Sequence, residues 1–179
     1  MNKREINVLD YASEILKAVN KGVLITSKFE NKVNSMTISW GTLGIEWAKP
    51  IFIAFIREHR YTRELLEKGT SFTINIPMQG SNRKPIGYLG TKSGRDRDKL
   101  KDMNLTLVPS DIVDAPAIKE YPLTLECRIV YKQLQDRNAL AKEKMVFYPQ
   151  DVPETYHDRN KDFHVAFYGE IEKAYIIED

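Results

Sequence analysis

Segments with the pattern of β-strands dominate this chain, and the most constraining is KPIFIAFIR at residues 49–57, which is apolar on both faces. Such a segment predicts a central strand that is covered on both sides. Further strands are predicted at GVLITSKF, NSMTISW, SFTINIP, LTLECRIVYKQL and HVAFYGEIEKAYII, with a shorter one at KMVFYP. Helical spacing is confined to residues 1–22, to RYTRELLEKG and to a region near Asp96 to Met103. Six or seven strands with few helices favour a mainly β fold, a closed antiparallel barrel of Greek-key type with a few peripheral helices, because closure removes exposed edges.

The length and continuity of the chain predict one domain over residues 1–179. A chain of 179 residues can bury a substantial core, and no repeat, linker or low-complexity segment divides it. Strands are not regularly interleaved with helices, which argues against a doubly wound nucleotide-binding fold. The net charge of +2 is too small to predict a nucleic-acid partner.

The cysteine content and the hydropathy of the chain predict a cytosolic protein. Cys127 is the single cysteine, which excludes an internal disulfide and suits a reducing compartment. It lies in the alternating run LTLECRIVY, so we expect a buried structural thiol. No apolar run approaches the roughly 20 residues that span a bilayer, so no membrane partner is expected.

Several familiar catalytic motifs are missing from the sequence. GTKSG at residues 90–94 lacks the glycine–lysine pair of a phosphate loop, and neither GxGxxG nor GxSxG occurs. His59, His157 and His164 are too scattered for a helical zinc motif, so no metal site is predicted. No catalytic nucleophile or general base can be assigned from the residues.

The segment NSMTISWGTLGIEWAKP, residues 34–50, predicts a strand with two different faces. One face is a stripe of small hydroxyls, and the other is mostly apolar. The stripe can meet water, or it can leave room for a flat polar ligand to lie against the backbone. The hydroxyls belong to Ser35, Thr37 and Ser39, and the opposite face carries Asn34, Met36, Ile38 and Trp40.

Two basic segments are candidates for an anion site. REHRYTRELLEKG places Arg57 at a strand end and Arg60 beside Thr62, which is predicted to cap the following helix. Its alternative interpretation is a solvated turn with surface arginines. GTKSGRDRDKLKD has a charged helix with internal ion pairs as its alternative, and its candidate residues are Lys92, Ser93, Gly94, Arg95 and Lys99. The residues alone leave both alternatives open.

Taken together, these stretches resemble the flavin reductase-like family, whose members bind FMN on a split barrel and include flavoredoxin. The matching order is NSMTISWGTLGIEWAKPIFIAFIREHRYT, GTKSGRDRDKLK, LECRIVYK and FHVAFYGEI, whereas residues 133–159 match less well. The resemblance implies a homodimer with one FMN per subunit near the dimer cleft. It places the flavin ring at Asn34, Ser35, Met36, Thr37, Ser39 and Trp40, the phosphate at Arg57, Arg60, Tyr61 and Thr62, a third contact loop at Lys92, Ser93 and Gly94, and His164 near the flavin.

Three functions follow as hypotheses. The first is an FMN-dependent oxidoreductase that takes hydride from NADH or NADPH and reduces flavin or another acceptor. The second is an electron carrier of the flavoredoxin type, whose FMN is reduced by a redox partner protein. The third is a non-enzymatic barrel that binds a polyanion. In the first two, the flavin supplies the redox chemistry and the protein supplies position and electrostatics.

Overall fold

The computed structural model describes residues 1–152 and 161–178. His157 and the other residues between 152 and 161 lie outside this description. The strands are β1 (Asn2–Glu5), β2 (Val23–Phe29), β3 (Lys32–Ile38), β4 (Gly41–Glu46), β5 (Lys49–Arg57), β6 (Ser71–Ile76), β7 (Leu107–Val108), β8 (Ala117–Ile118), β9 (Leu123–Leu134) and β10 (His164–Glu178). The helices are α1 (Ala12–Lys21), α2 (Tyr61–Lys68), α3 (Lys84–Thr91) and α4 (Lys99–Asp102), and two 3-10 helices span Val8–Tyr11 and Lys142–Phe147.

Eight strands form one antiparallel sheet in the order β3-β2-β6-β9-β10-β5-β4, and β1 pairs with the far half of β10. The mainly β prediction is confirmed, and KPIFIAFIR is the inner strand β5. The prediction of a closed barrel was wrong, because no ladder joins β3 to β4 or β5 in the described residues. β3 only approaches β5, and helices α3 and α1 pack against the edge strands β3 and β4. A covering helix protects a sheet edge as closure would.

The core lies between the sheet and helix α1. Ile25, Phe52, Ile74 and Phe167 from four strands are fully buried in it, and Ile15 of α1 joins them. The predicted burial of Cys127 is confirmed, since its thiol is inaccessible and burial raises its pKa. Burial on this scale is the main source of stability in a domain of this size.

Two local predictions were wrong, and several elements were not predicted. KMVFYP is mostly a 3-10 helix, because its apolar residues do not alternate as they would on a half-buried strand. Residues 1–22 form β1, a 3-10 turn and α1 instead of one helix, since β1 adds to the edge of β10. Strand β4, helix α3 and the short β7–β8 pair were not anticipated. The β4–β5 turn is formed by Trp47 and Ala48, both with positive φ, at 51° and 58°.

No helix in the described ranges is both long enough and apolar enough to cross a membrane.

Candidate functional site

A cleft of about 320 Å³ opens where α2, α4 and the loop after α3 meet strand β3. Four basic side chains line it, and we call it the cationic cleft. It joins the three segments that the resemblance selected, which lie far apart in the sequence. Its lining includes Asn34, Met36, Arg60, Tyr61, Thr62, Lys92, Ser93, Gly94, Arg95, Asp96 and Lys99.

Asn34 of β3 organises one wall of the cationic cleft. Its side chain is buried, and Nδ2 donates a hydrogen bond to Thr62 Oγ1 at 2.7 Å. Gly94 packs against the same side chain so closely that a Cβ there would lie 2.1 Å from Asn34 Oδ1 and 2.9 Å from Tyr61 Cδ1. Only glycine fits this contact, which explains why the loop carries glycine at position 94.

The first turn of α2 forms the opposite wall. The N-cap is Arg60, with extended backbone and no side-chain capping bond, so the prediction that Thr62 caps the helix was wrong. Thr62 is buried in the first turn, where its hydroxyl accepts from Asn34. Arg60 donates to the carbonyl of Gly90 at 3.3 Å and lines the cleft. The positive end of the helix dipole therefore reaches the cleft together with a guanidinium.

Lys99 is the most unusual residue of the cleft, because its ammonium group is buried. Only 4% of the residue is exposed, and Nζ donates to the carbonyl of Leu89 at 3.3 Å. No carboxylate pairs with it among the residues that the structure describes. Burial, with a smaller effect of the Arg60 charge, lowers the pKa of Lys99 to about 8. A buried cation without a counter-ion is costly, which is typical of a site that receives an anion.

Two carboxylates offset part of the positive charge of the cationic cleft. Arg95 pairs with Glu64 and also donates to the carbonyl of His59 at 3.1 Å. Asp96 is exposed and lines the same cleft. The four basic side chains of the lining therefore outnumber these two carboxylates by two.

A second cleft, of about 220 Å³, continues from the first along β3, and we call it the strand cleft. The two clefts share Met36 and Arg60, so they form one continuous site. Trp40, Phe55 and His164 give the strand cleft flat, largely apolar walls. Its full lining is Met36, Thr37, Ile38, Ser39, Trp40, Phe55, Arg57, Arg60 and His164.

His164 is a neutral, hydrogen-bonded histidine at the edge of the strand cleft. Nδ1 lies 2.9 Å from Tyr148 Oη, and Tyr148 donates to Gln135 Oε1 at 2.8 Å. The direction of the bond between Tyr148 Oη and His164 Nδ1 follows the tautomer of the imidazole. Burial, and then the charge of Arg57, lowers the pKa of His164 to about 4. The ring is therefore uncharged near neutral pH, and it lies 4.9 Å from the Trp40 ring.

Arg57 is placed differently from the phosphate contact that was expected. Its guanidinium donates to the carbonyls of Asp162 at 2.7 Å and Phe147 at 2.9 Å. It also lies over the rings of Tyr148 and Trp40, at 5.1 and 5.8 Å from their centroids. Arg57 lines the strand cleft and not the cationic cleft. This geometry favours a role in holding the Phe147 and Asp162 segments.

The hydroxyl stripe of β3 is also partly committed to internal bonds. Ser35 accepts from Thr26 and donates to the carbonyl of Ile25, and Thr37 donates to the carbonyl of Ile86 in α3. Ser39 and the backbone of β3 remain on the strand cleft. The strand named from the sequence therefore lines the strand cleft, but two of its three hydroxyls are engaged in internal hydrogen bonds.

Sequence reasoning left Asp96 and His59 out of the site, and it named Arg95 and Lys99 only as anion-site candidates that the resemblance did not select. Arg95, Asp96 and Lys99 lie in the basic segment GTKSGRDRDKLKD, so the signal was present, but its charged-helix alternative fitted equally well. His59 binds Asp162 through Nδ1 at 2.7 Å, a pairing that joins residues 103 positions apart. Such contacts depend on the folded chain.

The fold and the two joined clefts define an antiparallel β protein whose candidate site combines a basic cleft with an aromatic-walled slot. The chain belongs to the family of the flavin reductase like domain, whose model matches residues 18–179. The resemblance inferred from the sequence is thereby confirmed.

Relatives of known sequence or structure support this membership. An uncharacterized protein of Archaeoglobus fulgidus is 32% identical over 130 residues, which are 73% of this chain and 69% of the relative. The crystal structure of flavoredoxin from Methanosarcina acetivorans is similar with a TM-score of 0.64 at 25% identity, covering 88% of this chain and 68% of the other. An FMN-binding domain of a flavin reductases-like enzyme from Shewanella baltica has the same fold, with a TM-score of 0.65 at 17% identity over 98% of this chain and 77% of that one.

Proposed function

We propose that this protein binds one FMN per chain and works as an oxidoreductase, with the FMN phosphate in the cationic cleft. The buried ammonium of Lys99, which has no carboxylate partner in the described residues, is the observation that carries the proposal. A phosphate monoester brings nearly two negative charges at neutral pH. It would supply the counter-ion that the fold does not.

The residues fit the parts of FMN. Arg60, Lys92 and Lys99 would hold the phosphate beside the first turn of α2. Gly94 lets its loop approach Asn34 of β3 closely. The flavin ring would occupy the strand cleft, against the β3 backbone and the flat walls of Trp40 and Phe55. Strand backbone can read the carbonyl and N–H groups of the flavin's pyrimidine edge.

The chain's own residues would position the cofactor and set its surroundings. FMN, when bound, supplies the acceptance and release of two electrons. His164 is neutral, so it contributes a polar edge without a charge beside the ring. Asp162 is engaged by His59, and Cys127 is buried away from the clefts, so neither provides a nucleophile to the site.

Binding is tested by titrating the purified protein with FMN. We expect a shift of the flavin absorption, saturation at about one FMN per chain, and a higher melting temperature, because a ligand of the native state stabilises it. If saturating FMN produced neither the absorption shift nor the higher melting temperature, the proposal would be excluded.

We propose NADH or NADPH as the hydride donor. The test is anaerobic mixing of the FMN-loaded protein with either nucleotide, and bleaching of the flavin is the expected result. The similarity to flavoredoxin favours a second candidate, an electron carrier reduced by a partner protein. No bleaching with either nucleotide, together with ready reduction by dithionite, would select the carrier.

We also propose that the protein is a homodimer. Large apolar side chains are exposed at Ile45 and Trp47 of the β4–β5 hairpin and at Tyr131 and Leu134 of β9. The rings of Trp47 and Tyr131 both contact Tyr168, at centroid distances of 6.4 and 5.0 Å. Trp47, Tyr168 and Tyr131 thus form one aromatic patch, and exposed apolar patches commonly mark an interface.

A further inference from the structure

A third cleft, of about 570 Å³, adjoins the strand cleft, and we call it the aromatic cleft. It shares Ser39, Trp40, Phe55 and His164 with the strand cleft. Helix α1 and the 3-10 helix Lys142–Phe147 complete its walls. Its volume falls within the roughly 300–1,000 Å³ of typical small-molecule sites.

The walls of the aromatic cleft are ring faces and edges. Trp40 meets Phe147 edge-on at 5.3 Å, and Tyr148 lies 6.5 Å from Trp40. Trp40 and Phe147 remain 38% and 48% exposed, and Leu16 of α1 is 42% exposed. Large apolar groups held partly open around a concavity favour a flat apolar ligand, because ring contacts add to the hydrophobic gain of burial.

Among the described residues, Lys144 is the only charged side chain that lines the aromatic cleft, since His164, the one histidine of that described lining, is neutral near pH 7. No ion pair occupies Lys144 among the described residues. His164 is buried, and the described residues give its Nε2 no hydrogen bond. The cleft therefore combines one cation and one open imidazole nitrogen with aromatic walls.

We propose that the aromatic cleft binds a planar aromatic acid, with its ring system packed against Trp40 and Phe147 and its acidic group at Lys144. The concave shape and the modest volume favour a small molecule over a protein segment. Because the aromatic cleft adjoins the strand cleft, where the flavin ring would bind, the aromatic acid would be a substrate of the flavin. Only this assignment as a substrate rests on the proposed function.

The test is calorimetric titration with two probes of nearly the same shape, the anion naphthalene-2-carboxylate and the neutral naphthalene-2-carboxamide. Lys144→Met should weaken the carboxylate three- to tenfold, as expected for about 0.6–1.4 kcal/mol from an exposed ion pair, and leave the carboxamide unchanged. Lys142→Met, on the same 3-10 helix but outside the cleft lining, should change neither.

The aromatic wall is tested with Phe147→Ala, which should weaken both probes about tenfold. Val146→Ala is the matched control, since Val146 is 72% exposed and does not line the cleft. Wild-type affinity of both probes for the Lys144 and Phe147 variants would overturn the proposal. The proposal would also be overturned if the wild type bound neither probe and Phe147→Ala no longer had the mass of a dimer. A second copy of the chain would then be what covers the cleft. Probe binding by a protein that fails to bind FMN would refute the proposed function alone.

Discussion

At the scale of single residues, Lys99 links stability to binding. Its pKa is lowered from 10.5 in the unfolded chain to about 8 in the folded protein, mainly by burial. Between these values the unfolded chain holds more protons, so this group makes the ligand-free protein more stable as the pH rises from 8 towards 10.5. Below pH 8 the folded protein retains a charge that has lost its hydration.

Lys99→Met should therefore have opposite effects on stability and on affinity. At pH 7 we expect a higher melting temperature without FMN, by about 2–4 °C for each kcal/mol of desolvation removed. FMN affinity should fall at least tenfold, because a charged hydrogen bond contributes roughly 1.5–3 kcal/mol. Differential scanning calorimetry and FMN titration measure the two effects, and a loss of both stability and affinity would indicate a mainly structural lysine.

The same lysine predicts how FMN affinity depends on pH. The wild-type dissociation constant should rise between pH 7.5 and 9.5, because the free protein loses the Lys99 proton near pH 8 and binding must restore it. Riboflavin, which has no phosphate, should show a flatter profile. An identical profile in Lys99→Met would assign the pH dependence to another group.

Arg60 and Arg57 should respond differently to alanine substitution. Arg60→Ala should weaken FMN by about one to two orders of magnitude and riboflavin much less, since the lost group is a phosphate ligand. Arg57→Ala should weaken both flavins equally and lower the melting temperature, because Arg57 holds the carbonyls of Phe147 and Asp162. Arg63→Ala, on α2 but outside both clefts, is the control. If Arg57→Ala weakened FMN binding but not riboflavin binding, Arg57 would be assigned to the phosphate site after all.

At the scale of elements, the site depends on three helices that pack against one strand. Helices α2, α3 and α4 all contact β3, and this arrangement brings residues 34, 60 and 99 together. Gly94 sets how closely the loop between α3 and α4 approaches β3. The cleft is thus a product of helix placement on an edge strand.

Gly94→Ala should weaken FMN about tenfold and destabilise the protein by about 1–3 kcal/mol, because the added methyl overlaps Asn34. Gly87→Ala is a matched control within α3, where an added Cβ meets nothing within 4 Å. It should stabilise the protein by about 0.5–1 kcal/mol through helix propensity and leave FMN affinity unchanged. Equal behaviour of the two variants in FMN titration would contradict the role of the loop.

The sequence predicted elements better than it predicted their arrangement. The period-2 patterns of β3 and β9 and the two-sided apolar pattern of β5 located these strands, because each pattern shows which faces of a strand are buried. The prediction of a closed barrel was wrong because helices α1 and α3 cover the edge strands β4 and β3, and no local sequence pattern reveals such packing. Likewise Arg60, Lys92 and Gly94 could be named in advance, whereas the burial of Lys99 depends on contacts made only after folding.

At the scale of the whole molecule, the open prediction is the homodimer. Light scattering of the FMN-loaded protein at micromolar concentration should give twice the chain mass of 20.7 kDa. Combining Trp47→Asn with Tyr131→Ser should lower the mass towards that of one chain, because both remove apolar surface from the same patch. Asn is chosen at 47 because it tolerates positive φ.

Ile112→Ser is the control, since Ile112 is 62% exposed on a different loop. A wild-type mass of one chain would refute the dimer. If the double variant remained a dimer, the interface would lie on another part of the surface.

The pairing of β1 with the far half of β10 makes this chain a natural candidate for circular permutation. Asn2 stands opposite Glu178 in that ladder, so a short glycine–serine linker could join them without crossing the sheet. New ends could be placed between Trp47 and Ala48, where both residues hold a backbone conformation that is unfavourable without glycine. Cutting there would release local strain and leave the order of the sheet intact.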